Sequence, residues 1–222
     1  MFGVSINSKL KNLLISIIWA LSMAIIIACK LVRPSPRLIL FSDDFSVNKS
    51  QWETWYQENV SAVSIVNEEL VMILEEPNAD MVTTNRITNF NVETSVTVNR
   101  KHGTDDNLMG IVCRYIKPRN YYSFLISSDG YYGIAKKSKG NTQLISSDHM
   151  QYDEVINKGS QKNQLTAICE KGTFSFYVNE KELISLQDED AFLTGGNGLI
   201  IGTFSGTDDL IIGFDDYIIQ AR

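Results

Sequence analysis

Arg114, Tyr121, Tyr122, Tyr131 and Tyr132 crowd into residues 107–137, and they are side chains suited to recognising polar, ring-shaped ligands. A tyrosine ring stacks on the apolar face of a sugar while arginine donates to its hydroxyls. By strand alternation Arg114 shares a face with Gly110 and Val112, and Gly110 would leave room above it. The expectation is a glycan site on a concave sheet face made of Arg114, Tyr121, Tyr122 and Tyr132, with Tyr131 beside them. The competing reading places alternate tyrosines in the core and pairs Arg114 with an acid at a sheet edge.

The acids allow a second chemistry. Asp43-Asp44 and Asp215-Asp216 fall near the two ends of the folded part, and the first and last strands of a β-sandwich commonly run side by side. Four carboxylates brought together that way would suit a structural calcium, which takes six to eight oxygen ligands. Otherwise they are strand-end aspartates facing water or capping turns. Retaining glycosidases need two carboxyl groups about 5–5.5 Å apart, supplied on one strand by acids at alternate positions, and no such run is present. The densest acids, Glu180, Glu182, Asp188, Glu189 and Asp190, surround a turn and a loop and read as a solvated cluster.

His102 and His149 are the only histidines. Each sits in a polar loop without a second ligand at zinc-site spacing or a nucleophile elbow nearby. Cys113 and Cys169 form an even pair once Cys29 is set aside. A bridge between them is open, but both lie on apolar strand faces, where free cysteine behaves as a small hydrophobe, and that is the favoured reading.

What must position these groups is β structure. Residues 107–137 read as three strands joined by turns at 117–120 and 128–130. Phe90, Val92, Thr94, Val96 and Val98 alternate with polar partners, and Phe174, Phe176 and Val178 mark one side of a later hairpin. Outside the N-terminus no window shows a helical period, and about a dozen strand candidates recur at intervals of roughly 8–12 residues. The fold class is therefore all-β: a two-sheet antiparallel sandwich over residues 38–222.

Residues 1–29 have an export layout: Lys9 and Lys11, an apolar run over 13–28, then Cys29. Ile26-Ile27-Ala28-Cys29 resembles a bacterial lipobox, which implies acylation of Cys29 and membrane attachment through several acyl chains. A hydrophobic signal-anchor helix is the alternative. Its 17 residues at ~1.5 Å each span roughly 26 Å, short of a ~30 Å hydrocarbon core. Simple cleaved secretion is a third outcome, and all three place the domain outside the cytoplasm. Residues 30–37, with Pro34 and Pro36, form a short stiff linker.

The full chain carries 20 Lys and Arg against 26 Asp and Glu. Lys9 and Lys11 precede Cys29, so the mature chain has a net charge of −8. That field repels phosphate backbones and excludes nucleic acid as the natural partner.

The ordered features DDF at 43–45, NEELVMIL at 67–74, GIVCRY at 110–115, NYYSFLISSDGYYGIAKK at 120–137, GGNGLIIGTF at 195–204 and GFDDYII at 213–219 resemble the concanavalin A-like lectin/glucanase superfamily. That superfamily includes laminin G-like and 3-keto-disaccharide hydrolase-like sandwiches. The resemblance implies a jelly roll and often a structural calcium where Asp43, Asp44, Asp215 and Asp216 fall. It leaves three functions open: a non-catalytic carbohydrate-binding module, which the residues favour, a glycoside-acting enzyme, or a surface-protein interaction domain.

Overall fold

The computed structural model describes residues 37–47, 51–204 and 209–222, with Arg86 described in its backbone alone. The expected signal or anchor helix and the lipidation at Cys29 lie outside the described residues. Residues 37–222 form one compact unit, and among the described residues all regular structure is β.

In chain order the strands are β1 (Ile39–Asp43), β2 (Trp55–Gln57), β3 (Ser61–Val66), β4 (Glu69–Leu74), β5 (Asp80–Asn89), β6 (Val92–His102), β7 (Leu108–Lys117) and β8 (Asn120–Ile126). They continue as β9 (Tyr131–Ser138), β10 (Asn141–Leu144), β11 (Gln151–Tyr152), β12 (Asn163–Glu170), β13 (Thr173–Val178), β14 (Lys181–Gln187), β15 (Gly195–Gly202) and β16 (Leu210–Ala221). Nine strands make one antiparallel sheet in the order β14, β13, β12, β6, β16, β4, β3, β2, with β1 also on β16. Seven make the other, in the order β10, β9, β8, β7, β15, β5, with β11 also on β9.

The alternation explains the sandwich. Val98, Leu165, Phe174, Phe176 and Phe214 of the nine-stranded sheet share one buried cluster with Met109, Ile111, Phe124, Ile134 and Leu199 of the seven-stranded sheet. Each large apolar side chain fully buried there contributes about 1.5–3 kcal/mol. Phe90 is a correction to the alternation: it precedes β6 at a turn and is 68% exposed, while Val92, Thr94, Val96 and Val98 are buried as their period requires.

Cys113 and Cys169 are bridged, where their apolar settings had favoured two free thiols. β7 and β12 face each other across the interior, so the same inward direction that buries the two sulfurs also brings them together. The bond ties one sheet to the other.

The seven-stranded sheet has a second apolar cluster on its outer face: Val112, Tyr121, Leu125, Ala135 and Ile200, with Leu144 and Met150 folding over it from the segment after β9. That face is lined at its centre by residues with little or no side chain. A Cβ on Gly110 would stand 1.9 Å from the Phe124 carbonyl oxygen, and one on Gly198 would stand 2.2 Å from that of Thr83. Gly110 therefore serves close strand approach.

Candidate functional site

Three of the four residues expected to bind a ligand turn inward. Arg114 would share the outer face with Val112 if β7 were regular, but its φ is 56° and the β7–β8 register breaks between Cys113 and Lys117. This bulge re-aims the side chain into the interior, as bulges do. Arg114 is 1% exposed, donates to the Asn89 carbonyl at 3.1 Å and reaches the Cys169 carbonyl on the opposite sheet at 2.9 Å. Burial lowers the pKa of its guanidinium, with Tyr122 acting in the other direction. It is an internal strut, and so is unavailable to a glycan.

Tyr122 lies in the same interior, stacked on Phe174 with ring centroids 4.2 Å apart. Its hydroxyl donates to Asp188 at 2.6 Å, and the Lys136 ammonium meets the same oxygen at 2.6 Å. Tyr132 is buried too, donating to Gln151 at 3.1 Å. Tyr131 is exposed and packs edge-on to Tyr152. Consecutive strand residues point to opposite faces, so the pairs Tyr121-Tyr122 and Tyr131-Tyr132 were bound to be split between the two sides of the sheet.

Tyr121 alone among the four stands on the outer face. Its hydroxyl donates to Asp80 of the edge strand β5 at 2.7 Å, and Lys137 approaches the same carboxylate at 2.8 Å. Tyr115 stacks on the Tyr121 ring. Burial pushes the Asp80 carboxyl up, but the hydrogen bonds from Lys137 and Tyr121 outweigh it and leave the group below the ordinary carboxylate range. The Tyr121 phenol is held well above its ordinary value by burial, reinforced by Asp80.

These side chains wall a trough. A hollow of ≈ 280 Å³ has Leu108, Ser123, Leu125 and Ile200 as its floor and Asp80, Tyr121, Thr142, Thr203 and Phe204 around it. It shares Asp80 and Tyr121 with a hollow of ≈ 180 Å³ that adds Tyr115, Pro118 and Lys137. It shares Phe204 with one of ≈ 380 Å³ lined by Asp106, Asn107, Ser127, Asp129, Tyr131 and Met150. Phe204 is 37% exposed between the two. An apolar floor with a few convergent polar groups is the usual character of a small-molecule site. Asp80, Phe204 and Lys137 were missed by sequence reasoning: each is a single residue near a strand end, and only the sheet order brings them to Tyr121.

The four aspartates do not come together as one group. β1 does pair with β16, aligning Asp43 with Tyr217. However, Asp43 is buried and accepts from the Phe45 amide and the Trp52 indole, while Asp44 accepts from the Ser46 amide and hydroxyl. Asp215 accepts from the Asp216 amide. Among the described residues no group of three or more Asp, Glu, His or Cys side chains stands ready to hold a metal ion. Asp43, Asp44 and Asp216 line one hollow of ≈ 150 Å³, and Asp215 is not part of its lining.

No family model and no curated protein matches the sequence. Solved structures do. The carbohydrate-binding module CBM66 from Bacillus subtilis superimposes with a TM-score of 0.61 at 14% identity, over 77% of this chain and 96% of that one. The GH43 protein BlXynB from Bacillus licheniformis gives 0.62 at 16% identity over 82% of this chain, which spans 39% of that protein. A functionally unknown protein from Saccharomyces cerevisiae gives 0.55 at 13% identity, over 78% of this chain and 97% of that one. At such identities the likeness establishes the fold, a two-sheet antiparallel β-sandwich.

Proposed function

We propose that this chain is an extracytoplasmic, membrane-anchored concanavalin A-like jelly roll that binds carbohydrate without cleaving it. The trough over the seven-stranded sheet is the site. The observation that carries the reading is its composition: an apolar floor, the exposed Phe204 ring, and the Asp80–Lys137–Tyr121 group held at one wall. Phe204 offers a stacking surface to a pyranose face, and Asp80 and Thr142 offer acceptors and a donor to its hydroxyls. The three hollows adjoin through shared lining residues, Asp80 and Tyr121 on one side and Phe204 on the other. The sandwich it shares with a carbohydrate-binding module along nearly that module's whole length supports the reading. Anchoring rests on the apolar run and Cys29.

The electrostatics favour binding over hydrolysis. A glycosidase keeps one carboxyl protonated by raising its pKa. Asp80, the carboxyl at the trough wall, is instead lowered. A glycan array probed with the detergent-solubilised full chain tests the reading. Retention of a defined glycan is expected, weakened about tenfold or more by Phe204→Ala or Asp80→Ala, with no new reducing ends. Loss of all retention, or indifference to both substitutions, would overturn it.

A further inference from the structure

One end of the sandwich carries three exposed apolar side chains and a cluster of cations, with exposed Glu189 and Asp190 four and three residues before Leu193. The pairing brings its turns into a row. Gly195 pairs with Asn89 and Gly196 with Tyr115, so Phe90, Leu193 and Ile116 lie within two residues of one shared line of backbone. The three side chains are 68%, 57% and 54% exposed. Beyond Ile116 the β7–β8 turn carries Lys117 and Arg119, and the Gly140 amide donates to the Arg119 carbonyl, which seats Lys139 beside them. All three cations are exposed. Among the described residues none of them makes an ion pair, as is also true of Lys158, Lys162 and Lys171, whereas Arg37, Arg100, Lys101, Lys136, Lys137, Lys181 and Arg222 do.

The chain enters the fold at the same end. The Ala221 amide donates to Leu38, Ala221 pairs with Val92, and the Arg222 amide donates to Asn91, the residue after Phe90. Eight steps of chain join Cys29 to Arg37 and reach at most about 28 Å. The twelve residues of β16, at ~3.4 Å each, make the sandwich roughly 40 Å long. If Cys29 is the attachment point, a tether of that length is shorter than the sandwich it would hold.

We infer that this end is a second, non-covalent membrane contact: Phe90, Ile116 and Leu193 enter the interface of an anionic bilayer while Lys117, Arg119 and Lys139 meet its headgroups. The inference rests on the anchored reading of residues 1–29. Apolar tips flanked by lysine and arginine are the pattern of interfacial binding, and a basic patch is drawn to anionic lipid against the domain's own net charge. Phe204 and the loop from Gly103 to Asn107 lie toward the opposite end, because Gly202 pairs with Leu108. Docking in this way aims the mouth of the trough near Phe204 away from the bilayer.

The full chain reconstituted in vesicles of phosphatidylcholine with 30% phosphatidylglycerol tests this. Single cysteines for an environment-sensitive dye are placed by Phe90→Cys and Leu193→Cys, with Lys162→Cys as the distal control and the dye-treated parent chain as background. The expected result is quenching of the first two dyes, and not the third, by nitroxide-labelled lipid. The triple reversal Lys117→Glu, Arg119→Glu, Lys139→Glu should weaken that quenching several-fold, and so should pure phosphatidylcholine. Chains that float with the vesicles while all three dyes stay equally wet overturn this inference alone. Chains that do not float overturn the anchored reading with it.

Discussion

The outer faces of the two sheets carry hollows of nearly equal size, ≈ 280 Å³ over the seven-stranded sheet and ≈ 290 Å³ over the nine-stranded one, and they differ in what lines them. The nine-stranded face is laced with charge. Glu93 holds Arg37 and lies 3.4 Å from Arg222, which also approaches Glu170 at 3.7 Å, while Tyr177 donates to Glu182. The seven-stranded face presents Leu125 and Ile200 beneath one paired carboxylate and one exposed phenyl ring. Size alone would not choose between them. A neutral sugar needs an apolar plane and a few fixed polar groups, and a surface whose polar atoms already satisfy each other offers little of either. Under the proposed reading, binding belongs to one face and structural pairing to the other.

The largest effect should come from the bond that holds the two faces in register. Replacing Cys113 and Cys169 by alanine opens a 56-residue separation in sequence and should cost about 2–5 kcal/mol of unfolding free energy, read by denaturant titration. If the folded variant keeps its glycan retention, the trough belongs to the seven-stranded sheet alone. The next effect tests the trough directly. Phe204→Ala removes the exposed ring and should lower glycan affinity by about 1–3 kcal/mol, seen calorimetrically, with little change in melting temperature. Equal affinity in that variant would move the site elsewhere.

Much of the fold was legible because burial imposes a period of two. Val92 to Val98, Tyr122 to Ile126 and Phe174 to Val178 all face inward as their alternation requires. The candidate site was far less legible. Tyr121 stands on the outer face of the sheet, but Arg114 was assigned to the wrong face, because one positive φ resets the alternation and nothing in GIVCRY marks where that happens. Asp80 and Phe204 come from strand ends 124 positions apart and are neighbours of Tyr121 only through a sheet order in which β15 sits between β7 and β5. The free-thiol reading of Cys113 and Cys169 failed for a related reason: inward-facing cysteines look alike whether or not their strands oppose each other.

Acid titration sharpens the comparison next. Asp188 is raised by burial but lowered more by the hydrogen bonds from Lys136 and Tyr122, so its folded pKa lies below the unfolded value of about 3.8. Such a group stabilises the fold fully above its unfolded pKa, and the contribution is lost as pH falls through the lower folded value. The Lys136–Asp188 pair is mostly shielded from solvent and belongs to the edge where β8 and β9 meet the segment after β14. Asp188→Asn should therefore cost about 1 kcal/mol at neutral pH and flatten the loss of stability below pH 4. Asp80 shifts in the same direction, so glycan affinity and stability should both decline in that acid range.

The smallest effect is expected on the charged face, and it bears most directly on the assignment. Glu93→Gln keeps the side chain's shape while removing the charge that Arg37 and Arg222 share. All three side chains are partly open to water, where such pairs contribute about 0–1 kcal/mol. The melting temperature should fall by no more than a few degrees, and less at high salt, because screening already weakens exposed pairs. Glycan retention should not change, since Glu93 stands on the far side of two sheets from Phe204. A variant that folds normally yet loses its glycan would reverse the comparison: the two arginines and Glu93 would then be ligand-binding groups, and the trough over the seven-stranded sheet would be the structural face.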